Sequence, residues 1–485
     1  MGITTYLFVL VFLPITIIGW KILLNIRYKN YMLSSFFLIV TSLYFIGSYD
    51  YRFIITITLT ALINYYGVKF ISNIKSHLIK KSITMCLVFA NVSVLILLKY
   101  TNWIRELFGA IDQPWNLVLP IGISFYTLEQ IMYIVDSYNH DAYLYSFIEY
   151  LSYSTFFPVI ISGPVFHHSQ YVEQLRTIHK KGISDEKIRQ GIISFSFGLG
   201  KKVLVASQLG HFVDFGYGNI ETMSTWAVIA CITSYSLQLY FDFSGYCNIV
   251  EGIGLMMGFE LPVNFSSPYK SASIGEFWDK WHITLTKFFT KYVYIPLGGN
   301  RKGALRQAVN ILLVFLLSGL WHGTSLTFVL WGGLHGAFMI IDKYLEAYWN
   351  RIWLFLRKGT TFVLVSILWI PFRAESLTNV VRIFKGLENL RVATKEELYH
   401  TMFPMLFSII KEIGVKGDIV FIWQKVLTIT SIIILLVIVF QGKNVKFLRE
   451  KYCTKTWMAL LCGIILSLSI MQFSTGAPDF IYEGF

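Results

Sequence analysis

Charged side chains are scarce in this sequence: only 14% of its 485 residues are Asp, Glu, Lys or Arg, whereas 55% are hydrophobic. A soluble protein of this length usually has about a quarter of its residues charged. The mean hydropathy of +0.57 and the aromatic content of 17% agree with this contrast. No water-soluble fold could bury so much apolar surface, so the composition predicts an integral membrane protein.

Cysteine is rare as well, and the few cysteines form no CxxC pair. Their number is odd and most of them lie inside apolar stretches, so the sequence predicts neither a disulfide framework nor a zinc site. HExxH and DxD motifs are missing too, and we predict no catalytic metal. The GxSxG motif of serine hydrolases is absent, which argues against Ser244 as a nucleophile. The five cysteines are Cys86, Cys231, Cys247, Cys453 and Cys462.

The charges that are present are mostly basic, with 41 Lys and Arg against 28 Asp and Glu. They lie in short loops between apolar runs, where the positive-inside rule explains them, so we predict no nucleic-acid partner. The rule places the loops 69–81 and 441–456 in the cytoplasm. No basic residue precedes Lys21, which predicts an uncleaved first span and, with the last span running outward, both termini outside.

Apolar runs bounded by charged residues recur along the whole chain and predict an all-α, polytopic membrane protein. At about 20 residues per crossing helix, the runs predict about eleven transmembrane helices. Runs such as 309–320 and 402–411 are too short to cross alone and are predicted to be re-entrant or tilted pieces packed against protein. The runs are 3–20, 31–48, 53–68, 83–98, 117–135, 146–165, 190–212, 224–241, 309–320, 325–341, 360–372, 402–411, 425–440 and 457–472.

The segment 262–306 is the least hydrophobic part and has a different pattern. Phe277, Trp278, Trp281, His282 and Leu285 recur at the spacing of one helix face, while lysines fall on another face. A basic amphipathic helix of this kind is predicted to lie in the cytoplasmic interface of the membrane.

Two histidines are the main candidates for chemistry. His322, within Leu320-Trp321-His322-Gly323, lies between apolar runs, where a charged group is expensive and a neutral one needs a polar partner. Its ordinary pKa near 6.5 suits a general base that takes a hydroxyl proton, although packing explains such a residue equally well. Neighbouring glycines permit close approach of a ligand or of another backbone. His282 is either a second active-site residue or an aromatic-stacked anchor of its helix.

Other polar residues allow weaker functional hypotheses. Asp242, at the end of an apolar run, could orient a histidine or relay a proton, or could simply hold a helix end. His335 does not share a helix face with His322 if the two belong to one continuous helix, which speaks against a shared metal. The loop containing Asn300 and Arg301 could steer a phosphate-bearing donor, but is more often a turn with positive-inside charges.

Taken together, these motifs resemble the membrane-bound O-acyltransferase superfamily, and most of all its bacterial branch that O-acetylates alginate and cell-wall polysaccharides. The resemblance extends over about 115–375 and is carried by many motifs in the same order. They are Leu119 to Thr127, Phe157-Pro158, Ser162-Gly163-Pro164, Asp242 to Tyr246, Pro262 with Asn264-Phe265, Pro268-Tyr269, Ser273-Ile274, Phe277-Trp278, Trp281-His282, Ile295 to Asn300 and Leu320 to Gly323.

The resemblance implies a ring of helices around a central funnel, with His322 and His282 at the superfamily's two characteristic positions and Asp242 as a supporting residue. It implies that Trp278, Trp281, Asn300, Arg301 and Trp321 contact an acetyl-CoA donor. It also implies a location in the bacterial cytoplasmic membrane, in contact with lipid, a polysaccharide acceptor and an extracytoplasmic SGNH-type acetyltransferase partner. We expect three parts: N-terminal helices (1–114), a catalytic core (115–375) and C-terminal helices (376–485).

Three alternatives remain at this point. A relative that transfers D-alanine from a carrier protein to teichoic acid is the nearest of them. A glycan exporter or transporter would explain the apolar runs and the membrane acids, but the repeated halves usual in transporters are not found. A structural scaffold for a glycan synthase has nothing positive in its favour. Under the acyltransferase hypothesis, His322 should be reachable by water-soluble molecules from both membrane faces.

Overall fold

The computed structural model describes residues 1–26, 31–109, 119–139, 145–389 and 418–475, together with residues 115 and 117. In these residues every regular element is helical and no strand occurs, as the sequence predicted. The α-helices are α1 Leu13–Asn25, α2 Tyr31–Gly47, α3 Tyr51–Ser72, α4 His77–Leu95, α5 Thr101–Leu107, α6 Ile123–Tyr138, α7 Phe147–Ser154, α8 Phe157–Ile160, α9 His168–Lys181, α10 Asp185–Leu199, α11 Ser207–Gly218, α12 Thr225–Met256, α13 Ile274–Lys280, α14 Ile283–Phe289, α15 Ala304–His322, α16 Leu326–Trp349, α17 Leu354–Leu368, α18 Ile370–Arg373, α19 Leu377–Gly386, α20 Asp418–Gln441, α21 Val445–Tyr452 and α22 Thr456–Met471.

Several of these helices join through π-helical turns, in which the backbone is locally wider. Ile96–Tyr100 continues α4 into α5, and Gly200–Ala206 joins α10 to α11. Insertions of this kind redirect side chains and occur frequently at functional sites. Here each of the two turns carries buried or half-buried lysines within an apolar segment, namely Lys99 in the first and Lys201 and Lys202 in the second.

By length and hydropathy, six helical segments of the described chain could cross a membrane, or seven if the bent pair Val426–Gln441 and Val445–Tyr452 is one span. The polytopic architecture is therefore confirmed, whereas the count of about eleven spans stays a prediction. Two shorter apolar helices, α2 and α22, add to the possible total. The predicted short piece 402–411 lies outside the described residues.

The structure corrects the prediction for 309–320. This run is part of α15, which has 19 residues and is long and apolar enough to cross a membrane. The apolar run looked short because Arg306 and Asn310 interrupt it near its start, yet the helix continues through them. Helix α15 packs along α16 as an antiparallel hairpin, and His322 is its last residue.

The single amphipathic helix predicted around Trp281 and His282 is also wrong. Helix α13 ends at Lys280, His282 has a left-handed backbone with φ of 45°, and α14 begins at Ile283. Phe277 and Trp281 are each only 1% exposed, so this aromatic face packs inside the protein instead of lying on the membrane interface. The break turns His282 into the core, where a regular helix would have carried it along the surface of the helix.

Small residues bring α10 and α12 into close contact. A Cβ atom on Gly198 would lie 2.7 Å from the carbonyl oxygen of Gly245, and one on Gly191 would lie 2.7 Å from that of Gly252. Close packing through small residues is typical of helix pairs in membranes. The sequence Gly198-Leu199-Gly200-Lys201-Lys202 therefore belongs to a packed helix and its π-helical continuation, not to a phosphate-binding loop.

One hydrophobic core extends through the molecule and draws on residues from Ile3 to Val439. Its aromatic part surrounds the ends of α13, α15 and α18. This core includes residues from each of the three predicted parts. The division at 114 and 375 stays a prediction.

Candidate active site

His322 and His282 lie side by side although they are forty positions apart in the sequence. Their ring centroids are 6.4 Å apart. His322 ends α15, and His282 occupies the break between α13 and α14. The tertiary fold therefore brings the two imidazoles together, and their roles in a reaction stay a prediction.

Aromatic rings enclose His322. The centroids of Trp321, Trp331 and Phe372 lie 4.8, 5.2 and 5.4 Å from that of His322. The residue is 3% exposed. The expectation that this imidazole is open to both membrane faces is therefore not met in this conformation, because large rings from α15, α16 and α18 close around it.

Close backbone contact fixes the position of the helix that carries His322. A Cβ atom on Gly319 would lie 2.3 Å from the carbonyl oxygen of Phe328, and one on Gly332 would lie 2.3 Å from that of Phe315. Gly319, one turn before His322, thus permits the close approach of the α16 backbone. The sequence had left open whether glycines near His322 make room for a ligand or for another backbone.

Sequence reasoning missed Lys99, which holds the end of α15 from the opposite side. Its Nζ donates to the carbonyl oxygen of Trp321 at 2.7 Å, and the hydroxyl of Tyr100 donates to that of Leu320 at 2.5 Å. A cation at a helix C-terminus satisfies carbonyl groups that have no partner within the helix. A lysine within the apolar run Ile96 to Tyr100 was the signal that could have revealed it.

His282 has an unusual backbone and a well-defined partner. A non-glycine residue in the left-handed region costs roughly 1–3 kcal/mol and is often found at functional sites. Its Nδ1 lies 3.4 Å from Oδ1 of Asn264, which also accepts from the Thr284 hydroxyl at 2.7 Å. Burial lowers the pKa of His282 to about 3, so the ring is neutral at physiological pH. Its buried Nε2 has no hydrogen-bond partner among the described residues.

Asp242 lies in the middle of α12 and not at the end of a span, because that helix continues to Met256. Its Oδ1 accepts from Nζ of Lys202 at 2.6 Å, and both side chains are buried. This ion pair connects α12 with the π-helical turn that follows α10. It accounts for a buried acid without a catalytic role, so the role of Asp242 in the reaction stays a prediction.

His335 belongs to the same aromatic cluster but has a different environment. Trp278 donates from Nε1 to its Nδ1 at 3.2 Å, and its ring centroid lies 5.1 Å from that of Trp331. Trp331 therefore separates His335 from His322 by packing against both rings. This arrangement makes His335 a packing residue that orients Trp278.

The residues predicted to contact the donor fall into three groups. Trp278 lines a cavity with a volume of about 610 Å³, which also reaches Ser318, one helical turn before His322. Trp281 and Trp321 are buried, and Trp281 packs 5.0 Å from Trp369 between ring centroids. Asn300 and Arg301 are exposed in the turn between α14 and α15. Tyr294, in the same connection, lines the cavity, so this turn lies near its edge.

One group of side chains is compact enough to hold a metal ion: Asp136, His167 and His168 present ligand atoms within 4.8 Å of one another. The hydrogen bonds favour another explanation. The backbone N–H of Ser169 donates to Nδ1 of His167 at 3.3 Å, which leaves the proton on Nε2, directed at Asp136. Such a tautomer has no lone pair for a metal there. Lys291 also pairs with Asp136 at 2.9 Å, so the group joins α6 to the segments around it.

Comparisons with known proteins give the same family as the motifs. The model of the MBOAT, membrane-bound O-acyltransferase family, matches residues 11–372. A peptidoglycan O-acetyltransferase of Helicobacter pylori is 34% identical over 419 residues, covering 80% of this chain and 79% of that protein. A probable alginate O-acetylase AlgI of Pseudomonas aeruginosa is 34% identical over 401 residues, covering 80% of this chain and 75% of that protein.

A more distant relative bears on the alternative reaction. A teichoic acid D-alanyltransferase of Bacillus subtilis is 27% identical over 266 residues, which cover 52% of this chain and 67% of that protein. The similarity to the two O-acetylating proteins is higher and extends over more of the chain.

Proposed function

We propose that this chain, which belongs to the membrane-bound O-acyltransferase family, transfers an acetyl group from cytoplasmic acetyl-CoA to a hydroxyl group of an extracytoplasmic polysaccharide. The observation that supports this most is the pair of buried imidazoles, His322 and His282, at the end of α15. The names of the relatives that share about a third of their residues with this chain support the acetyl group and the glycan acceptor.

The chemistry uses His322 as general base. Its imidazole takes the proton of the acceptor hydroxyl while the oxygen attacks the thioester carbonyl carbon. The C–S bond then breaks, and the imidazolium returns its proton to the departing thiolate, so the products are an ester and a thiol. Proton transfer by a positioned histidine typically contributes about 10²- to 10⁴-fold to the rate.

His282 is proposed to hydrogen-bond the reacting groups in its neutral form. Because burial lowers its pKa to about 3, it carries no charge that would repel a protonated His322 at neutral pH. Nδ1 carries the proton and donates to Oδ1 of Asn264, which leaves the lone pair of Nε2 to accept a hydrogen bond from a substrate hydroxyl. A strained residue that places one ring nitrogen in a buried site is consistent with such preorganisation.

The donor is proposed to enter through the cavity of about 610 Å³ beside Trp278 and Ser318. Basic loops, with Arg301 and Lys302 among them, lie where α15 begins and α16 ends, and they support an entrance at the cytoplasmic side. The thioester reaches the imidazole when the aromatic packing around His322 opens. An SGNH-type partner outside the membrane is proposed to accept the acetyl group or to pass it to the glycan.

D-alanyl transfer to teichoic acid is the second candidate. It is favoured by the relative from Bacillus subtilis, and the base and the helix arrangement would be the same. The lower identity and the shorter matched region place it behind O-acetylation. Transfer of radiolabel to the surface glycan from acetyl-CoA, compared with transfer from a D-alanyl carrier protein, separates the two candidates.

The central test replaces the base while keeping its shape. We expect His322→Gln to lower acetyl transfer in isolated membranes by roughly 10²-fold or more, with normal expression and insertion. His179→Gln is the matched control, since it replaces another buried histidine, which contacts Ser34 and lies outside the aromatic cluster of His322. Transfer by His322→Gln at the rate of the control would defeat the assignment of the base.

A further inference from the structure

A second cleft lies at the opposite end of the helix bundle from the large cavity. It has a volume of about 350 Å³ and is formed by the end of α11, the turn after it, α18 and the start of α19. Its lining is polar and includes Tyr217, Asn219, Glu221, Arg373, Asn379 and Arg382.

Two independent sets of charges place this cleft on the outer side. Lys180 and Lys181 lie before α10, and Lys187 and Arg189 lie in its first turns. Arg351 lies before α17, and Arg357 and Lys358 lie in its first turns. The positive-inside rule makes both starting points cytoplasmic. Helices α10–α11 and α17–α18 end at the cleft, so the cleft faces away from the cytoplasm.

The cleft adjoins the candidate catalytic histidine through one short helix. Phe372 and Arg373 are consecutive in α18. The ring of Phe372 packs 5.4 Å from that of His322, and Arg373 lines the cleft. A molecule held in the cleft would thus be separated from the aromatic cluster of His322 by a single residue of the chain.

The polar groups of the cleft are held in place by two ion pairs. Arg373 donates from Nη2 to Asp214 at 2.8 Å, and Arg382 pairs with Glu221 at 3.0 Å. The Arg373 guanidinium also lies 5.3 Å from the ring centroid of Tyr217. Each arginine is already paired with a carboxylate and Glu375 adds one more negative charge to the lining, so the cleft is not built to attract an anion.

Tyr217 contributes its aromatic ring to the lining of the cleft. Its hydroxyl is buried beneath that surface and is not accessible to a ligand in the cleft.

We propose that this cleft binds a pyranose unit of the acceptor glycan, so that the chain itself holds the polysaccharide beside its active site. Carboxylates, amides, guanidinium groups and a tyrosine fixed around a small cavity suit the many hydroxyls of a sugar ring. The volume fits the roughly 300–1,000 Å³ of small-ligand sites, whereas a docked protein would need about 800 Å² of surface. The proposal rests on the acyl-transfer function above and assigns its acceptor site.

The test measures sugar binding directly, apart from catalysis. Purified protein in lipid nanodiscs is titrated with two neutral probes, an N-acetylglucosamine disaccharide and a mannose tetramer, and binding is followed by saturation-transfer NMR. We expect at least one probe to bind. Asn379→Ala and Arg382→Ala should each weaken that binding roughly two- to tenfold, because each removes one hydrogen-bonding group of the lining. Gln170→Ala, which removes an amide from a cytoplasmic groove, should leave it unchanged.

The outcomes separate this proposal from the assignment of the base. His322→Gln should bind the probe as the wild type does while failing to transfer acetyl groups. Transfer by that variant would defeat the catalytic assignment and leave the cleft intact. Failure of both probes to bind, or equal binding by Asn379→Ala, Arg382→Ala and the wild type, would overturn the cleft proposal, and contact of this face with the extracytoplasmic partner alone would replace it.

Discussion

His282 shows how one residue can be recognisable in a sequence and still be misplaced. The motif Trp281-His282 suggested a position on a helix face, and the structure instead has the backbone in the left-handed region at φ of 45°. The sign of φ at a non-glycine residue depends on surrounding contacts, here on Asn264 and on the aromatic rings around it. The residue type could be read from the sequence, but its conformation could not.

The burial of His282 predicts a pH effect on stability. Its pKa is about 3 in the folded protein and near 6.5 in the unfolded chain, so only the unfolded chain binds the proton between these values. Above about pH 6.5 the ring is neutral in both states, and the unfolding free energy does not depend on it. As the pH falls from 6.5 toward 3, proton uptake by the unfolded chain lowers the unfolding free energy by about 1.4 kcal/mol per pH unit.

A variant without this titrating group isolates the effect. We expect the wild type to lose more thermal stability than His282→Asn when the pH is lowered from 7.5 to 5.5. Comparison of unfolding in detergent at the two pH values tests this, and His77→Asn, at the start of α4, serves as the control. A constant difference between the wild type and His282→Asn would contradict the neutral, buried imidazole.

At the scale of elements, the hairpin of α15 and α16 determines where His322 lies. Gly319 and Gly332 face each other with a Cβ position on either one only 3.4 Å from the Cα of the other. The sequence revealed the glycines near His322, and the structure showed that their space is taken by another helix. Periodicity could not show this, because the partner of a close contact lies outside the local sequence.

Two adjacent glycines of α16 provide a test of this contact. A Cβ on Gly332 would lie 2.3 Å from a carbonyl oxygen, whereas one on Gly333 would meet nothing nearer than a leucine methyl at 3.7 Å. We expect Gly332→Ala to lower the unfolding free energy by roughly 1–3 kcal/mol and to reduce activity by displacing His322. Gly333→Ala should be almost neutral. Equal thermal stability of the two variants would refute the close packing.

At the scale of the whole molecule, the proposed orientation in the membrane assigns one cavity to the donor and the other to the acceptor. Loops rich in lysine and arginine lie at one end of the bundle, near the cavity of about 610 Å³, and the cleft of about 350 Å³ lies at the other end. The aromatic cluster around His322 separates them. A closed aromatic cluster between the two cavities would prevent leakage across the membrane when no substrate is bound.

Labelling of single cysteines checks this sidedness. In intact cells, we expect Thr378→Cys, beside the cleft, to react with a membrane-impermeant maleimide, and Lys302→Cys to react only after permeabilisation. Both positions are exposed in the structure. The wild type, whose five cysteines are free, measures the background. Labelling of Lys302→Cys in intact cells would reverse the proposed orientation of the donor and acceptor faces.

The sequence by itself determined the membrane class, the helical architecture and the family, and it singled out His322 and His282 as candidates, because hydropathy and motifs are local properties of the chain. Only the tertiary structure decided that the two rings meet, that Asp242 pairs with Lys202, that Lys99 holds the end of α15, and that a polar cleft adjoins Phe372. These are contacts between residues far apart in the sequence. They arise from how helices pack, and no local pattern encodes the partner of a buried side chain.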